Sequence, residues 1–244
     1  MQVNTIYPAF NGEMSVHGIG SLTVFLRLQG CHLRCYATTF GHLCDTPEGL
    51  SAEGGKTMTV SEIMDELLKL RVLTGIRRVC LTGGDPLWRK PAELHELFGA
   101  LESAGYSVTV ETSGTLDWRQ YNGYNNVAWV LDYKLRSAGV KGNLVLVHAG
   151  SLRKRDYVKF VVYGEEDYAQ MKEVLFDLWR ITEAKITVGP MWEGQMNAFV
   201  LFDRLKKDGM LALVTGGINF QAHKLVEHAA FNPPMVGQVL SRER

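Results

Sequence analysis

Residues 77–114 read RRVCLTGGDPLWRKPAELHELFGALESAGYSVTVETSG, and the order of elements inside this stretch decides the fold. Val79, Cys80 and Leu81 lie in a short apolar run over 79–82 that ends at Gly83 and Gly84, the pattern of a buried strand stopped by a turn. Pro91 then opens a helix predicted over 91–104, Gly105 closes it, and a second strand follows over 107–111. Two strands joined through a helix in this way lie parallel and are linked by a right-handed crossover.

The same alternation continues outward. Further strands are predicted at 24–28 on the amino side and at 127–132, 158–163 and 185–188 on the carboxyl side, with helices over 61–73, 166–179 and 195–207. In the helix over 61–73, Ile63, Met64, Leu67 and Leu70 share one face, with Thr59 or Ser61 as the cap. Repeated this often, the unit predicts an α/β fold, a partial, open TIM-like βα barrel with its helices outside. Reactive groups in such barrels collect at the carboxyl ends of the strands. The segments found there, 31–44, 82–86, 111–115, 132–134 and 189–191, are polar or rich in glycine. Gly83 and Gly84 would let the backbone approach a ligand, Asp85 could accept from an ammonium, and Ser113 and Lys134 could hold a carboxylate or hydroxyls.

Composition narrows the function. The 26 basic and 26 acidic residues cancel, which favours a small-molecule partner over nucleic acid or a membrane surface. No apolar stretch approaches the ~20 residues needed to cross a bilayer, and the start lacks a basic segment followed by an apolar core. A cytoplasmic protein is expected. A chain of 244 residues suits a single domain over 1–244.

Cysteine use is uneven. Cys31, Cys35 and Cys44 share one loop, whereas Cys80 sits in a strand, where a small hydrophobe is the default. Four cysteines are too sparse for a disulfide scaffold. Three soft thiolates on a compact loop suit an iron-sulfur cluster with one iron left open, where S-adenosylmethionine can chelate and be cleaved reductively. The same three with His32 or His42 would suit tetrahedral zinc, and plain buried thiols are a third reading.

A resemblance then bears on these alternatives. The spacing Cys31-x-x-x-Cys35 followed by 43–46, with 82–86 and 111–114, resembles the radical S-adenosylmethionine superfamily. Within it, the opening segment 6–13, the segment 24–31 and the late segment 220–224 are similar to the 7-carboxy-7-deazaguanine synthase family, over about residues 2–225. The resemblance implies a radical S-adenosylmethionine barrel and a carbon-nitrogen lyase. Its reaction would contract 6-carboxy-5,6,7,8-tetrahydropterin to 7-carboxy-7-deazaguanine with release of ammonia, in 7-deazapurine (queuosine-type) biosynthesis. Cys31, Cys35 and Cys44 would hold a 4Fe-4S cluster, and Thr46 would be the single protein ligand of Mg2+, a cation that keeps several waters. Leu43, Cys44, Asp45, Gly84, Ser113, Asp132 and Lys134 would line the S-adenosyl-L-methionine site. Phe10, Asn11, Gly12, Glu13, Arg27, Thr82 and His223 would surround the pterin, with the planar fork of Arg27 on its carboxylate. A reductant protein such as flavodoxin and a homodimeric state are also implied.

Several positions depart from the family pattern. Eight residues rather than two separate Cys35 from Cys44, a change with only a modest logarithmic closure cost. Asn11 and Met14 replace the usual glutamine and second glycine, Asp132-Tyr133-Lys134 replaces Ser-Pro-Lys, and the chain runs on over about 225–244. Two competing functions are an activase of a protein partner and a non-enzymatic zinc or iron-sulfur protein. The first gives no role to Thr46 and the opening motif, and the second leaves the polar rim unexplained. Trp129, Trp179 and Trp192 read as core or interface residues.

Overall fold

Strand pairing follows the predicted crossovers. The structure is a computed structural model that describes residues 1–37, 44, 46–192 and 194–222. Its strands are β1 (Gln2–Phe10), β2 (Leu22–Leu28), β3 (Lys56–Thr57), β4 (Arg78–Gly83), β5 (Ser107–Thr112), β6 (Val127–Tyr133), β7 (Tyr157–Val162), β8 (Lys185–Pro190) and β9 (Gly217–Ile218). They form one sheet in the order β3-β1-β2-β4-β5-β6-β7-β8-β9. Every neighbouring pair from β2 to β9 is parallel, and β1 and β3 add an antiparallel edge. The two ends of the sheet do not pair, so the barrel is open.

Five helices accompany the strands among the described residues: α1 (Val60–Thr74), α2 (Pro91–Ser103), α3 (Val145–His148), α4 (Glu165–Ile181) and α5 (Ala198–Lys207). α1 starts where Thr59 and Glu62 exchange bonds in a capping box: Thr59 Oγ1 accepts from the Glu62 amide at 3.2 Å and the Thr59 amide donates to Glu62 Oε2 at 2.7 Å. Gly75 ends it with φ 73°. α5 begins three residues later than the sequence pattern suggests, because the Asn197 side chain accepts from the Val200 amide at 2.9 Å and caps the helix there. No helix among the described residues is long and apolar enough to cross a membrane.

Side-chain alternation along the strands separates core from lumen. Val24, Leu26, Val79, Leu81, Val108, Val110, Trp129, Leu131, Val158, Phe160, Ile186 and Val188 are buried in one hydrophobic core. Residues at the intervening positions are more polar, and Arg27, Thr82, Glu111, Asp132 and Lys159 line the cavity inside the barrel. β1 escapes the sequence reading because it lacks an apolar run and carries Pro8. Beyond Val3 only β2 pairs with it, so the missing amide of Pro8 faces an edge and costs no ladder bond.

The loop between β1 and β2 crosses beneath the lumen. Asn11 ties it together, its amide donating to the Glu13 and Gly18 carbonyls and to Ser15 Oγ at 2.8–3.0 Å. His17 lies between Ser107 Oγ (3.0 Å) and Thr109 Oγ1 (3.2 Å) of β5. Burial, reinforced by Arg78 and Arg155, pushes His17 down from 6.5 to about 4. The unfolded chain therefore takes up a proton near pH 6.5 that the folded chain refuses until about pH 4, so stability is whole above 6.5 and falls as the pH drops through that window. Urea midpoints measured from pH 7 to pH 4 should fall more steeply for the natural chain than for His17→Gln; parallel curves would remove His17 from the acid response.

Candidate active site

The carboxyl ends of β2 and β4 and the segment after Cys44 meet backbone to backbone. Gly84 N donates to Leu28 O at 3.0 Å, Asp85 N to Gly30 O at 3.1 Å, Gly30 N to Gly49 O at 2.8 Å and Cys31 N to Leu50 O at 3.2 Å. A Cβ on Gly84 would stand 2.0 Å from Gly30 O and 2.7 Å from Gly49 O. Gly83, at φ 116°, would meet Leu28 O at 2.2 Å. These glycines thus admit other backbone rather than a ligand alone, although both also line the cavity. Asp85 differs from its sequence reading as well. Its buried carboxylate is filled by the Leu87 amide (3.1 Å), Thr112 Oγ1 (2.7 Å), and the amide and hydroxyl of Ser113, so it ties the loop after β4 to the end of β5 and leaves no oxygen waiting for an ammonium.

These loops frame a cavity of about 710 Å³. Cys31, Cys35 and Cys44 all line it, none is in a disulfide, and the amides of Leu33 and Thr46 donate to the sulfurs of Cys31 and Cys44 at 3.4 Å each. Burial pushes the Cys31 and Cys35 thiols up, and the Lys134 ammonium opposes that rise at both. Three soft donors on one cavity wall, with amides directed at sulfur, fit an iron-sulfur cluster. His32 does not join them: its Nε2 contacts Thr115 Oγ1 at 2.9 Å, its ring lies 6.4 Å from that of Trp88, and it does not line the cavity. Cys80 is apart too, buried in β4, with burial and Glu111 holding its thiol well above the usual range. Among the described residues no three His, Cys, Asp or Glu side chains close into a preformed metal cage.

Most other residues singled out in the sequence reach the same cavity. Phe10, Asn11, Gly12, Glu13, Arg27, Thr46, Thr82, Gly84, Ser113, Asp132 and Lys134 line it, whereas Leu43, Asp45, His42 and His223 lie outside the described residues, as does 225–244. Arg27 Nε donates to Tyr7 OH at 3.1 Å and its Nη1 lies 3.5 Å from Thr46 Oγ1. Lys134 Nζ donates to Asp132 Oδ2 at 2.7 Å. Burial alone would lower Lys134, but Asp132, Tyr36 and Cys35 hold it well above the usual lysine range. Asn11 spends its side chain within its own loop, and Trp192 stands at the cavity wall rather than in the core.

Lys159, outside every motif quoted above, also lines the cavity, as do Tyr7, Glu111 and Gln221, which fall within the segments 6–13, 111–115 and 220–224 but carry no role of their own in the sequence reading. Lys159 and Glu111 had a readable signal, a charge at a lumen-facing position of an otherwise apolar strand. Burial and the Glu13 carboxylate push the Glu111 carboxyl up, against the pull of Lys159. Gln221 lies in the family-similar segment 220–224, but its contact with Glu13 joins opposite ends of the chain and no local pattern announces it.

An open parallel βα barrel that turns three loop cysteines into its own lumen is the framework of a radical S-adenosylmethionine enzyme. No protein-family model matches the chain. A 7-carboxy-7-deazaguanine synthase of Methanospirillum hungatei is 33% identical over 192 residues, 79% of this chain and 73% of that one, and one of Leptospira interrogans is 31% identical over 185 residues, 71% and 75%. The crystal structure of QueE from Escherichia coli shares the fold, with TM-score 0.62, 20% identity and coverage of 91% of this chain and 94% of that one. The chain belongs to the 7-carboxy-7-deazaguanine synthase family.

The geometry separates the cysteines into two groups by a simple measurement. Iron bound after anaerobic reconstitution should survive Cys80→Ala and be lost in Cys44→Ala; iron loss in the first variant, or full retention in the second, would contradict the division.

Proposed function

We propose that this chain contracts 6-carboxy-5,6,7,8-tetrahydropterin to 7-carboxy-7-deazaguanine and releases ammonia, as a magnesium-dependent carbon-nitrogen lyase. The observation that carries the reading is one cavity lined both by Cys31, Cys35 and Cys44 and by Glu13 and Arg27, which lie in the family-specific segments. A 4Fe-4S cluster on those cysteines would supply, with S-adenosylmethionine bound, the electron that yields a radical able to take hydrogen from the substrate.

The chain's own residues then divide the work. The Lys134–Asp132 pair presents opposite charges beside the cysteines, suited to the carboxylate and hydroxyls of S-adenosylmethionine, with Gly84 and Ser113 at the same rim. Arg27 is braced by Tyr7 and offers its remaining N–H groups to the substrate carboxylate. Thr46 Oγ1, 3.5 Å from Arg27 Nη1, would be the single protein ligand of a magnesium ion, which would supply a second positive charge for an anionic substrate beside the guanidinium. No residue of the chain carries the reducing electron, so the proposal includes an external donor of the flavodoxin kind. A single-domain subunit working as a cytoplasmic homodimer accords with the family resemblance.

Assay of the reconstituted protein with the pterin, S-adenosylmethionine, reductant and magnesium tests the reading directly, and no ring-contracted product would refute it. Removing a buried arginine partner from a carboxylate costs about 2–5 kcal/mol. Arg27→Ala should therefore lower kcat/KM by about ten- to a hundredfold or more while uncoupled S-adenosylmethionine cleavage stays near normal. Parallel collapse of both would move Arg27 to the cofactor side. Thr46→Ala should keep its iron and its cleavage of S-adenosylmethionine yet lose most of the magnesium stimulation of product formation; an unchanged magnesium response would exclude Thr46 as ligand.

A further inference from the structure

Lys159 occupies the lumen-facing register of β7, directly opposite Asp132 on β6 and Thr187 on β8. Its Nζ donates to Glu13 Oε2 at 2.6 Å, and the two side chains are only 9% and 13% exposed. The other charged groups facing it are Asp132, whose Oδ2 is 3.9 Å away, and Glu111. Asp132 already has Lys134 at 2.7 Å, so four charges alternate across the lumen in the order Lys134, Asp132, Lys159, Glu13. Glu13 is gripped on both oxygens: Oε2 accepts from Lys159 and from Asn219 Nδ2 at 3.4 Å, and Oε1 from Gln221 Nε2 at 3.0 Å. A carboxylate anchored on both oxygens cannot rotate, and it therefore offers a fixed acceptor edge to the N–H groups along the pyrimidine side of a pterin.

We propose that Lys159 is a positioning residue for substrate recognition, acting through Glu13 rather than on the cofactor side. The inference rests on the pterin reading above. The distances give it direction. Without the Lys159 charge, Asp132 keeps its close lysine, whereas Glu13 loses its 2.6 Å cation while the side-chain amides of Asn219 and Gln221 still donate to it. The defect should therefore fall on the pterin and spare S-adenosylmethionine.

Calorimetric titration of the cluster-loaded, unreduced protein with each molecule separately tests this, using Lys159→Met, Glu13→Gln and the double variant. Pterin affinity should fall by about tenfold or more in Lys159→Met, the scale for losing one partner of a buried charge pair, while S-adenosylmethionine affinity stays within about threefold. If Lys159 works through Glu13, adding Lys159→Met to Glu13→Gln should weaken pterin binding little further, the non-additivity of groups in one network. The double variant also removes both charges together, which keeps the comparison readable should the unpaired carboxylate unfold the single variant. Equal loss of both affinities, losses that multiply in the double variant, or unchanged pterin binding in a folded Lys159→Met would each overturn the inference. Failure of the unsubstituted protein to bind the pterin would overturn the functional reading and this inference with it, and that titration comes first.

Discussion

Backbone contact among Gly30, Gly49 and Gly84 is the constraint on which the site depends. At this crossing the end of β2, the segment after Cys44 and the end of β4 share hydrogen bonds of 2.8–3.1 Å with no side chain between them. Tertiary packing here happens at the main chain, where hardly any relaxation is available: a Cβ added to Gly84 has only backbone to push against, and one added to Gly30 would meet the Trp88 and Arg89 side chains at 2.8 Å. The crossing fixes the distance from the cysteine loop to the β4 rim. Asp85 extends the same arrangement to the β5 rim through Thr112 and Ser113, so that three loops from different strands form one rigid border.

Electrostatics inside that border is organised by alternation. Two ammonium groups and two carboxylates are removed from most of the solvent, and each is tolerated because it has an opposite charge within hydrogen-bond distance. Such a network rarely stabilises a fold more than apolar packing of the same volume would. Its presence accords with the proposed occupants of the lumen, a cofactor with charged ends and a substrate with a carboxylate. Glu111, raised by burial and by Glu13, adds a carboxyl group at the same depth.

The βα alternation was legible because its strands are buried on the helix side and its helices carry their own stop signals. Pro91 at the first position of α2, Gly75 after α1 and the apolar positions of β4 to β8 are local features, visible in a short window. β1 was not, since an edge strand need be neither continuously apolar nor free of proline, as Pro8 shows. Cavity residues followed the same division. Cys31, Thr46, Gly84 and Lys134 belong to motifs with a fixed spacing and are found at the cavity. Lys159 belongs to none, and only the strand register places it beside Asp132. Asp85 carried the right motif but the wrong partner, because hydrogen bonding within the rim competes with bonding to a ligand and is settled by folding. Asn11 was similarly claimed by its own loop.

One wall of the cavity comes from the two ends of the described chain. Gln221 reaches Glu13 across 208 positions, Asn219 reaches Met14 across 205, and the Ala222 amide donates to Gly12 O. Contacts of such sequence separation form late, after the loop-closure entropy of nearly the whole chain has been met. A chain emerging from the ribosome therefore exposes its three cysteines long before it can hold Glu13 in place. Synthesis itself separates the acquisition of thiols from the completion of the binding pocket, and a prematurely ended chain would retain the sulfur donors without the wall that selects what is allowed to react beside them.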